Sequence, residues 1–275
     1  MSRSRSNGDI FETHLNIYAK FCKFTCLKNA ERYKILAGHA ETFDHCLFLK
    51  VCKMMKHIQN KNGIFESFYP MKDHDGRKGL SEDICFINTN GRTFAMSLKR
   101  NNKDIKHPRP EALATRLKLS KEKIVQYRKM INKIKNDYFT VQKCQEETFE
   151  MYVSINKVVL NLISTSKTEN LTVLFNFMVG KKTDYIAVWK SNDKKSKQSS
   201  AIELYNTGIA VDKVTLLKGN VSQNNIFLTF MTNTDHTFEF KMRIHTASSQ
   251  IKKKSLKYAV NIENIDHIYS KYLVS

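Results

Sequence analysis

The sequence predicts an α+β (mixed α/β) fold with a helical N-terminal part and a β-rich C-terminal half. Three observations support this prediction. Apolar residues recur at helical spacing from Ile10 to about His57 and again over residues 111–165. Short apolar segments separated by turn residues fill most of the chain after residue 184. With 41% hydrophobic and 11% aromatic residues, the chain has enough apolar surface for a core.

We expect one compact domain built around one main sheet. Residues 1–8 are expected to be a disordered start, residues 9–62 the helical N-terminal part, and residues 63–275 the remainder of the domain. Gly63 predicts the end of the helical part. Two apolar runs with helical spacing lie within it: Ile17, Phe21 and Phe24, then Phe43, Leu47, Val51, Met54 and Ile58.

Three consecutive strands are predicted after the helical part. The first covers residues 64–69 and ends at Pro70. The other two form a hairpin from Asp83 to Lys99, because Asn90-Gly91 is a dipeptide typical of tight β-turns. Beyond them, residues 111–165 are expected to be mainly helical. The next segments are predicted as strands over 185–190, 200–205, 213–218, 225–231, 236–243 and 256–261, and as a last helix over about 263–273.

The charge indicates a polyanionic partner. Lys and Arg number 46 against 26 Asp and Glu, which gives a formal net charge of +20. Three stretches are dense in basic residues: Lys99 to Arg109, Arg116 to Lys135 and Lys241 to Lys257. The first and third mix Arg, Asn, His and Ser with Lys, and these residue types contact phosphates and base edges. Nucleic acid is therefore the leading partner, and solvated lysine faces without a ligand are the alternative.

No segment of the sequence predicts a membrane or secretory destination. No stretch approaches the about 18 continuous apolar residues of a membrane span. The basic N-terminus is not followed by the apolar segment of a signal peptide. We therefore expect a cytoplasmic protein with six reduced cysteines. A zinc site at Cys22 and Cys26 with His39 and His45 is a weaker interpretation, because the spacing matches no usual zinc motif.

The predicted hairpin suggests metal-dependent chemistry. Alternation along its second strand leaves Ser97 and Lys99 on the face opposite the apolar side chains, across from the strand that begins at Asp83. Phosphodiester cleavage uses a divalent cation, and Mg²⁺ prefers oxygen ligands. In the PD-(D/E)xK nuclease core, an Asp starts one strand and an acidic-x-Lys lies on the next. Here Ser97 stands in the acidic position. The candidate metal ligands are Asp83, the Leu98 carbonyl, Glu41 and Glu66.

Four segments resemble the HaeIII-like family of type II restriction endonucleases. The run from Ser97 to Arg109, SLKRNNKDIKHPR, is similar to that family's motif S-(I/L/V)-K-x-N-x-x-x-x-K-H-x-R. Three later segments, VGKKTDY from Val179, IELYNTG from Ile202 and FKMRIHTASSQIKKKSLKY from Phe240, resemble further family segments in the same order. The matches span about residues 75–262.

The resemblance implies a restriction-endonuclease-like core sheet and a prokaryotic, Mg²⁺-dependent enzyme that cuts double-stranded DNA at a short palindrome. It also implies a cognate DNA methyltransferase, and a palindromic site is most simply bound by a homodimer. Asp83 then corresponds to the metal ligand, Lys99 to the catalytic lysine, and Ser97 to the family's own replacement for the acidic residue. Arg100 departs from the His that members often have. Lys252 to Lys254 replace a more acidic stretch.

The first and the last of these four segments supply the candidate DNA-binding residues. They are Arg100, Asn101, Asn102, Lys106, His107, Arg109, Arg243, His245, Ser248, Ser249 and Lys257. Arg243 is a candidate for base contacts, because Arg to guanine is the commonest specific pairing. Two other functions stay open at this point. One is a basic DNA-binding protein without catalysis, and the other is a structure-specific or repair nuclease on the same core.

Overall fold

The computed structural model divides the chain into two compact units, whereas the sequence indicated one domain. The first unit comprises Met1–Lys103, Lys182–Ile209 and Tyr269–Ser275, and the second comprises Asp104–Lys181 and Ala210–Ile268. The described residues are 3–31, 33–34, 43–71, 83–100, 107–139, 145–180, 183–190, 200–207, 211–246 and 256–275.

The α+β fold class is confirmed, although the strands form two sheets rather than one. Within the described residues the helices are α1 (Arg3–Phe21), α2 (His45–Asn62), α3 (Leu113–Arg116), α4 (Lys121–Phe139), α5 (Gln145–Ser164), α6 (Thr168–Val179) and α7 (Ile265–Ile268). The strands are β1 (Thr25–Cys26), β2 (Phe65–Pro70), β3 (Ile84–Asn88), β4 (Thr93–Arg100), β5 (Tyr185–Lys190), β6 (Ala201–Asn206), β7 (Val214–Ser222), β8 (Asn225–Thr232), β9 (Thr237–Thr246), β10 (Leu256–Ile262) and β11 (Ser270–Val274). None of the described helices is long and apolar enough to cross a membrane.

Two helices cover one face of the sheet in the first unit. The first helix, α1, begins at Arg3 and so includes part of the segment that was expected to be disordered. The Asp44 side chain caps α2 by accepting a hydrogen bond from the Leu47 N–H at 3.0 Å. At the other end, Gly63 with φ of +89° ends the helix where the sequence predicted. The apolar face of α2 packs on Phe65, Phe86, Phe94 and Met96 of the sheet, together with Phe11 and Leu15 of α1.

The seven-stranded sheet of the first unit changes from antiparallel to parallel pairing at β4. Its strand order is β1-β2-β3-β4-β5-β6-β11. The strands β2, β3 and β4 pair antiparallel, and β4 then pairs parallel with β5. The β3–β4 hairpin has the predicted turn, in which Gly91 has φ of +76° and the Asn88 side chain accepts hydrogen bonds from the N–H groups of Asn90 and Arg92.

The predicted last helix over about residues 263–273 is wrong. Only α7 is helical there, and the chain then pairs with β6 as the antiparallel strand β11. The pairing supplies partners for the otherwise free edge of β6. Lys271 of β11 also lies 3.3 Å from the Glu203 carboxylate of β6. A helical spacing of apolar residues in the sequence could not reveal this distant partner.

The second unit has a four-stranded antiparallel sheet in the order β10-β9-β8-β7. Its strands overlap the predicted ones closely, and β9 extends to Thr246. The sheet's inner face packs against α5 and α6. Phe175 of α6 makes edge-to-face contacts with the rings of Phe230, Phe238 and Phe240, with centroids 4.9 to 5.8 Å apart.

A buried hydrogen bond connects this sheet to α5. The Tyr258 hydroxyl of β10 donates to Asn156 Oδ1 at 2.7 Å, and both residues are fully buried. We expect Tyr258→Phe to lower the free energy of unfolding by about 1–3 kcal/mol, because it leaves a buried acceptor unpaired. Urea denaturation measures this change. Tyr272→Phe at the exposed edge strand is the control and should have little effect. Equal effects of the two substitutions would contradict the prediction.

Candidate functional site

The Asp83 carboxylate lies against the backbone of β4. Asp83 immediately precedes β3, and its N–H donates to the Met96 carbonyl at 2.8 Å. Its Oδ2 accepts hydrogen bonds from the Leu98 N–H at 2.5 Å and from the Ser97 hydroxyl at 3.4 Å. The carboxylate thus continues the β3–β4 ladder past the first residue of β3. It brings three of the predicted site residues into contact.

Lys99 extends the same face of β4. Ser97 is fully buried and Lys99 is half-buried, and both side chains lie opposite the core face of Phe94 and Met96. Their Cα atoms are about 7 Å apart, since a strand rises 3.3 Å per residue. In the parallel pairing, Lys99 stands opposite Val188 of β5. The local group is therefore one carboxylate, one buried hydroxyl and one ammonium on two adjacent strands.

Two oxygens at this strand end are suitable for a cation. Asp83 Oδ1 accepts no hydrogen bond from the described residues. The Leu98 carbonyl points toward the β3 side, as its N–H does, at the place where the β3 backbone ends. Oxygen donors of this kind fit Mg²⁺, which is held by one or two carboxylates and completes its shell with water and substrate phosphate. Asp83 and the Leu98 carbonyl would hold it.

The structure does not bring Glu66 to this group. Glu66 lies in an irregularity at the start of β2, where the strand pairs with Asn88, whereas Pro70 at the other end pairs with Ile84. Glu66 is four residues from Pro70 along β2, which is a distance of about 13 Å from the end of the strand near Asp83. Glu66 cannot share a metal ion with Asp83, so this expectation is wrong. Glu41 lies outside the described residues. No group of three His, Cys, Asp or Glu in the described part of the chain could hold a metal.

A second aspartate, which the sequence analysis assigned no role, binds the other edge of β4. Asp184 precedes β5 as Asp83 precedes β3. Its Oδ2 accepts the Ala95 N–H, and its own N–H donates to the Ala95 carbonyl, both at 2.8 Å. Burial raises the pKa of Asp184, while the Ala95 hydrogen bond and the charge of Arg92 act in the opposite direction. The signal in the sequence was its place in the VGKKTDY segment.

Glu203 is a further half-buried carboxylate on the face that bears Lys99. It accepts a hydrogen bond from the Tyr205 hydroxyl at 2.9 Å and lies 3.7 Å from Lys190 and 3.3 Å from Lys271. Burial favours a higher pKa for Glu203, but these three groups outweigh burial and lower it. Since β6 is three strands from β3, Glu203 lies about 14 Å from Asp83 and does not replace the acidic residue absent at position 97.

Five predicted DNA-binding residues lie together in the second unit. The Tyr258 N–H of β10 donates to the Pro108 carbonyl at 2.8 Å, which places residues 107–109 along the free edge of β10. Pro108 is buried, and His107 and Arg109 are exposed on either side of it. Two segments that are far apart in the sequence are thus neighbours. We call the set His107, Arg109, Arg243, His245 and Lys257 the basic surface.

The rest of the basic surface lies on β9 and β10. Arg243 is exposed and His245 half-buried, and they alternate with the buried Met242 and Ile244. Lys257 stands opposite His245 in the ladder. The remaining candidates lie outside the described residues. They are the Arg100 side chain, Asn101, Asn102, Lys106, Ser248 and Ser249.

The two roles of the Asp184 carboxylate can be separated by substitution. Asp184→Ala removes the acceptor for the Ala95 N–H and should lower the free energy of unfolding by about 1–3 kcal/mol. Asp184→Asn keeps an acceptor and removes the buried charge. The pKa of Asp184 is raised in the folded protein above its ordinary value of 3.8. The wild type should therefore lose stability as the pH rises from 3.8 through the pKa of the folded state. The Asn variant should lack this loss.

Urea denaturation at a series of pH values from acid to neutral measures both effects. Parallel stability profiles for the wild type and Asp184→Asn would contradict the pH prediction. Equal stabilities of the Ala and Asn variants at neutral pH would show that the hydrogen bond to Ala95 contributes nothing.

Comparisons of this chain with protein-family models, with curated proteins and with solved structures found no significant match. The resemblance to HaeIII-like endonucleases therefore stays a prediction from sequence motifs. What can support a function is the arrangement of side chains: Asp83 with Ser97, Leu98 and Lys99 in the first unit, and the basic surface in the second.

Proposed function

We propose that this protein is a type II restriction endonuclease that hydrolyses phosphodiester bonds of double-stranded DNA with Mg²⁺. The observation that carries the proposal is the contact of the Asp83 carboxylate with Ser97 and Leu98, with Lys99 on the Ser97 face. In the PD-(D/E)xK core an Asp starts one strand and an acidic-x-Lys lies on the next; Asp83 and Lys99 match the Asp and the Lys, and Ser97 stands in the second acidic position. Asp83, Ser97 and Lys99 are the residues that the sequence pattern predicts for this role.

The strand order also supports the proposal. A helix, α2, precedes three antiparallel strands, and the next strand of the same sheet, β5, is parallel to β4. The catalytic candidates are Asp83, directly before the second of those strands, and Ser97 and Lys99 on the third. They lie near the carboxyl end of β4, where its pairing changes from antiparallel with β3 to parallel with β5.

In the proposed mechanism, bound Mg²⁺ would neutralise the scissile phosphate and lower the pKa of a bound water. Two donors, the Ser97 hydroxyl and the Leu98 N–H, fix Oδ2 of Asp83 and leave Oδ1 for the cation. Lys99 provides a positive charge that binds a phosphate oxygen and orients the attacking water or hydroxide. Ser97 acts on the carboxylate and supplies no negative charge of its own.

The basic surface of the second unit would supply phosphate contacts. Arg and Lys contacts to phosphate account for much of the affinity for DNA, and they make it depend on salt. The formal charge of +20 is consistent with this partner. If the target is a palindrome, a homodimer is the simplest reader, and a methyltransferase would protect the host DNA.

One observation favours the second candidate, a DNA-binding protein without catalysis. Within the described residues no second carboxylate reaches Asp83, and position 97 provides only a hydroxyl. A single carboxylate binds Mg²⁺ weakly unless substrate phosphate completes the shell. Metal-dependent cleavage distinguishes the two candidates, and sequence-specific fragments distinguish a restriction enzyme from a structure-specific nuclease.

Substitution of Asp83 or Lys99 tests the proposed centre. Asp83→Asn keeps an acceptor for the Leu98 N–H but removes the charge that would bind Mg²⁺, and Lys99→Gln removes the phosphate contact. We expect each to lower cleavage of unmethylated phage DNA by at least about 100-fold. Binding to the same DNA in EDTA should be retained, and Asp83→Asn should bind slightly more tightly.

Matched controls are Asp212→Asn and Lys56→Gln, which change the same charges at exposed positions. Wild-type cleavage by Asp83→Asn would remove this assignment. A gel shift without any cleavage by the wild type, with Mg²⁺ present, would favour the non-catalytic candidate.

Substitution of Glu41 and substitution of Glu66 should affect the Mg²⁺ dependence of cleavage differently. Because Glu66 lies about 13 Å from the strand end occupied by Asp83, Glu66→Gln should cleave like the wild type. Glu41→Gln should raise the Mg²⁺ concentration needed for half-maximal cleavage if Glu41 completes the metal shell. A Mg²⁺ titration of the cleavage rate measures both. A shifted titration for Glu66→Gln would contradict the placement of that residue.

A further inference from the structure

The four-stranded sheet of the second unit has one closed face and one open face. Its inner face is closed by the apolar contacts of β7 to β10 with α5 and α6. The outer face bears polar and partly exposed side chains at alternate positions of every strand. An antiparallel sheet commonly has one packed face and one solvated face. The character of the solvated face then depends on which polar residues occupy it.

Nearly all charges on the outer face are positive. The four strands contain four Lys or Arg residues, Lys218, Lys241, Arg243 and Lys257, and one acidic residue, Glu239. All of these alternate with the buried residues and so lie on the outer face. Since the inner face has no charged residue, the sheet itself separates charge from the core. Sequence analysis assigned a role only to Arg243 and Lys257 among these residues.

Lys241 connects the basic surface to β8. It stands opposite Phe227 on β8 and Asn261 on β10, and its ammonium lies 5.8 Å from the centre of the Phe227 ring. Two residues further along, Arg243 stands opposite Asn225. The cations Lys241 and Arg243 therefore follow one another on the outer face of β9. Each faces an Asn on an adjacent strand: Asn261 of β10 for Lys241 and Asn225 of β8 for Arg243.

Both carboxamides have an unused oxygen. Oδ1 of Asn225 and Oδ1 of Asn261 are buried and accept no hydrogen bond from the described residues. Buried polar atoms without partners are uncommon in native proteins and call for an explanation. These two oxygens lie beneath the surface, so the charged groups that this face presents to a ligand are mainly the cations. Lys and Arg bind phosphates, which are the anionic groups of a nucleic acid.

We propose that the outer face of β8, β9 and β10 extends the basic surface and binds the backbone of duplex DNA, with Lys241 as a principal phosphate contact. Charge complementarity selects the occupant, because Glu239 alone opposes the cations of the four strands. This binding does not involve Asp83 and needs no metal. The choice of duplex DNA rests on the proposed function, whereas the surface does not depend on cleavage.

The test is binding of a short labelled DNA duplex to the full chain in EDTA, measured by fluorescence anisotropy over a range of salt concentrations. Lys241→Glu should weaken binding by at least about 10-fold and reduce the slope of log K against log salt by about one. Glu239→Lys makes the opposite charge change on the same strand. It should tighten binding several-fold and steepen the slope.

Matched controls change the same charges on helices of the same unit. Lys129→Glu on α4 and Glu150→Lys on α5 are exposed and alter the net charge equally. If their effects equal those of Lys241→Glu and Glu239→Lys, only net charge matters and the proposal is overturned. Unequal effects in the expected directions support it. Because both signs are tested, a general loss of folding cannot imitate the expected pattern.

The outcomes separate this proposal from the proposed nuclease. If the protein cleaves DNA in Mg²⁺ but its binding is insensitive to Lys241→Glu, the proposed DNA-binding face is overturned and the proposed nuclease function is supported. Binding that is sensitive to both variants without any cleavage would support the surface and contradict the nuclease. Tighter, equally sensitive binding to single-stranded RNA or to phosphatidylserine vesicles would overturn duplex DNA as the occupant.

Discussion

The strand β4 is held by a carboxylate at each edge, and the candidate site depends on this constraint. Asp83, directly before β3, accepts a hydrogen bond from the Leu98 N–H, and Asp184, directly before β5, accepts one from the Ala95 N–H. Both aspartates replace a missing strand neighbour, so the backbone of β4 stays paired through the change from antiparallel to parallel neighbours. Unpaired backbone groups in a buried strand would cost about 1–3 kcal/mol each. Side chains on β4 are therefore displayed from a fixed backbone, which is what a catalytic group needs.

The two aspartates solve the same backbone problem in different surroundings. For Asp184, both the carboxylate and the peptide groups are engaged with Ala95 and Thr207, and burial raises its pKa. That is the behaviour of a structural carboxylate. Asp83 also uses Oδ2 for β4, and in both aspartates Oδ1 accepts no hydrogen bond from the described residues. What distinguishes Asp83 is its neighbourhood, because the Ser97 hydroxyl donates to the same oxygen and Lys99 lies on the same face of β4 as Ser97.

Local patterns were sufficient to predict the elements that depend on alternation and turns. The β3–β4 hairpin, the strands of the second unit and the face shared by Ser97 and Lys99 follow from period-two spacing and from Asn90-Gly91. What failed depended on distant partners. The strand β11 forms because β6 has a free edge, and Glu66 lies far from Asp83 because of the β2–β3 register. The roles of Asp184 and Glu203 likewise arise from pairing between strands, which a single sequence does not reveal.

Ser97 illustrates how the fold limits the chemistry. Its side chain is fully buried and 3.4 Å from the Asp83 carboxylate. A second carboxylate at this position would place two like charges together in a poorly solvated region, and one of them would tend to stay protonated unless a cation were bound. The serine hydroxyl avoids that repulsion, because it can donate to Asp83 where an ionised acid could only accept. The site therefore keeps its geometry without a metal, at the expense of one metal ligand. In the proposed nuclease, a metal held by this single carboxylate would take its remaining ligands from water and from the DNA, so metal and substrate would bind cooperatively.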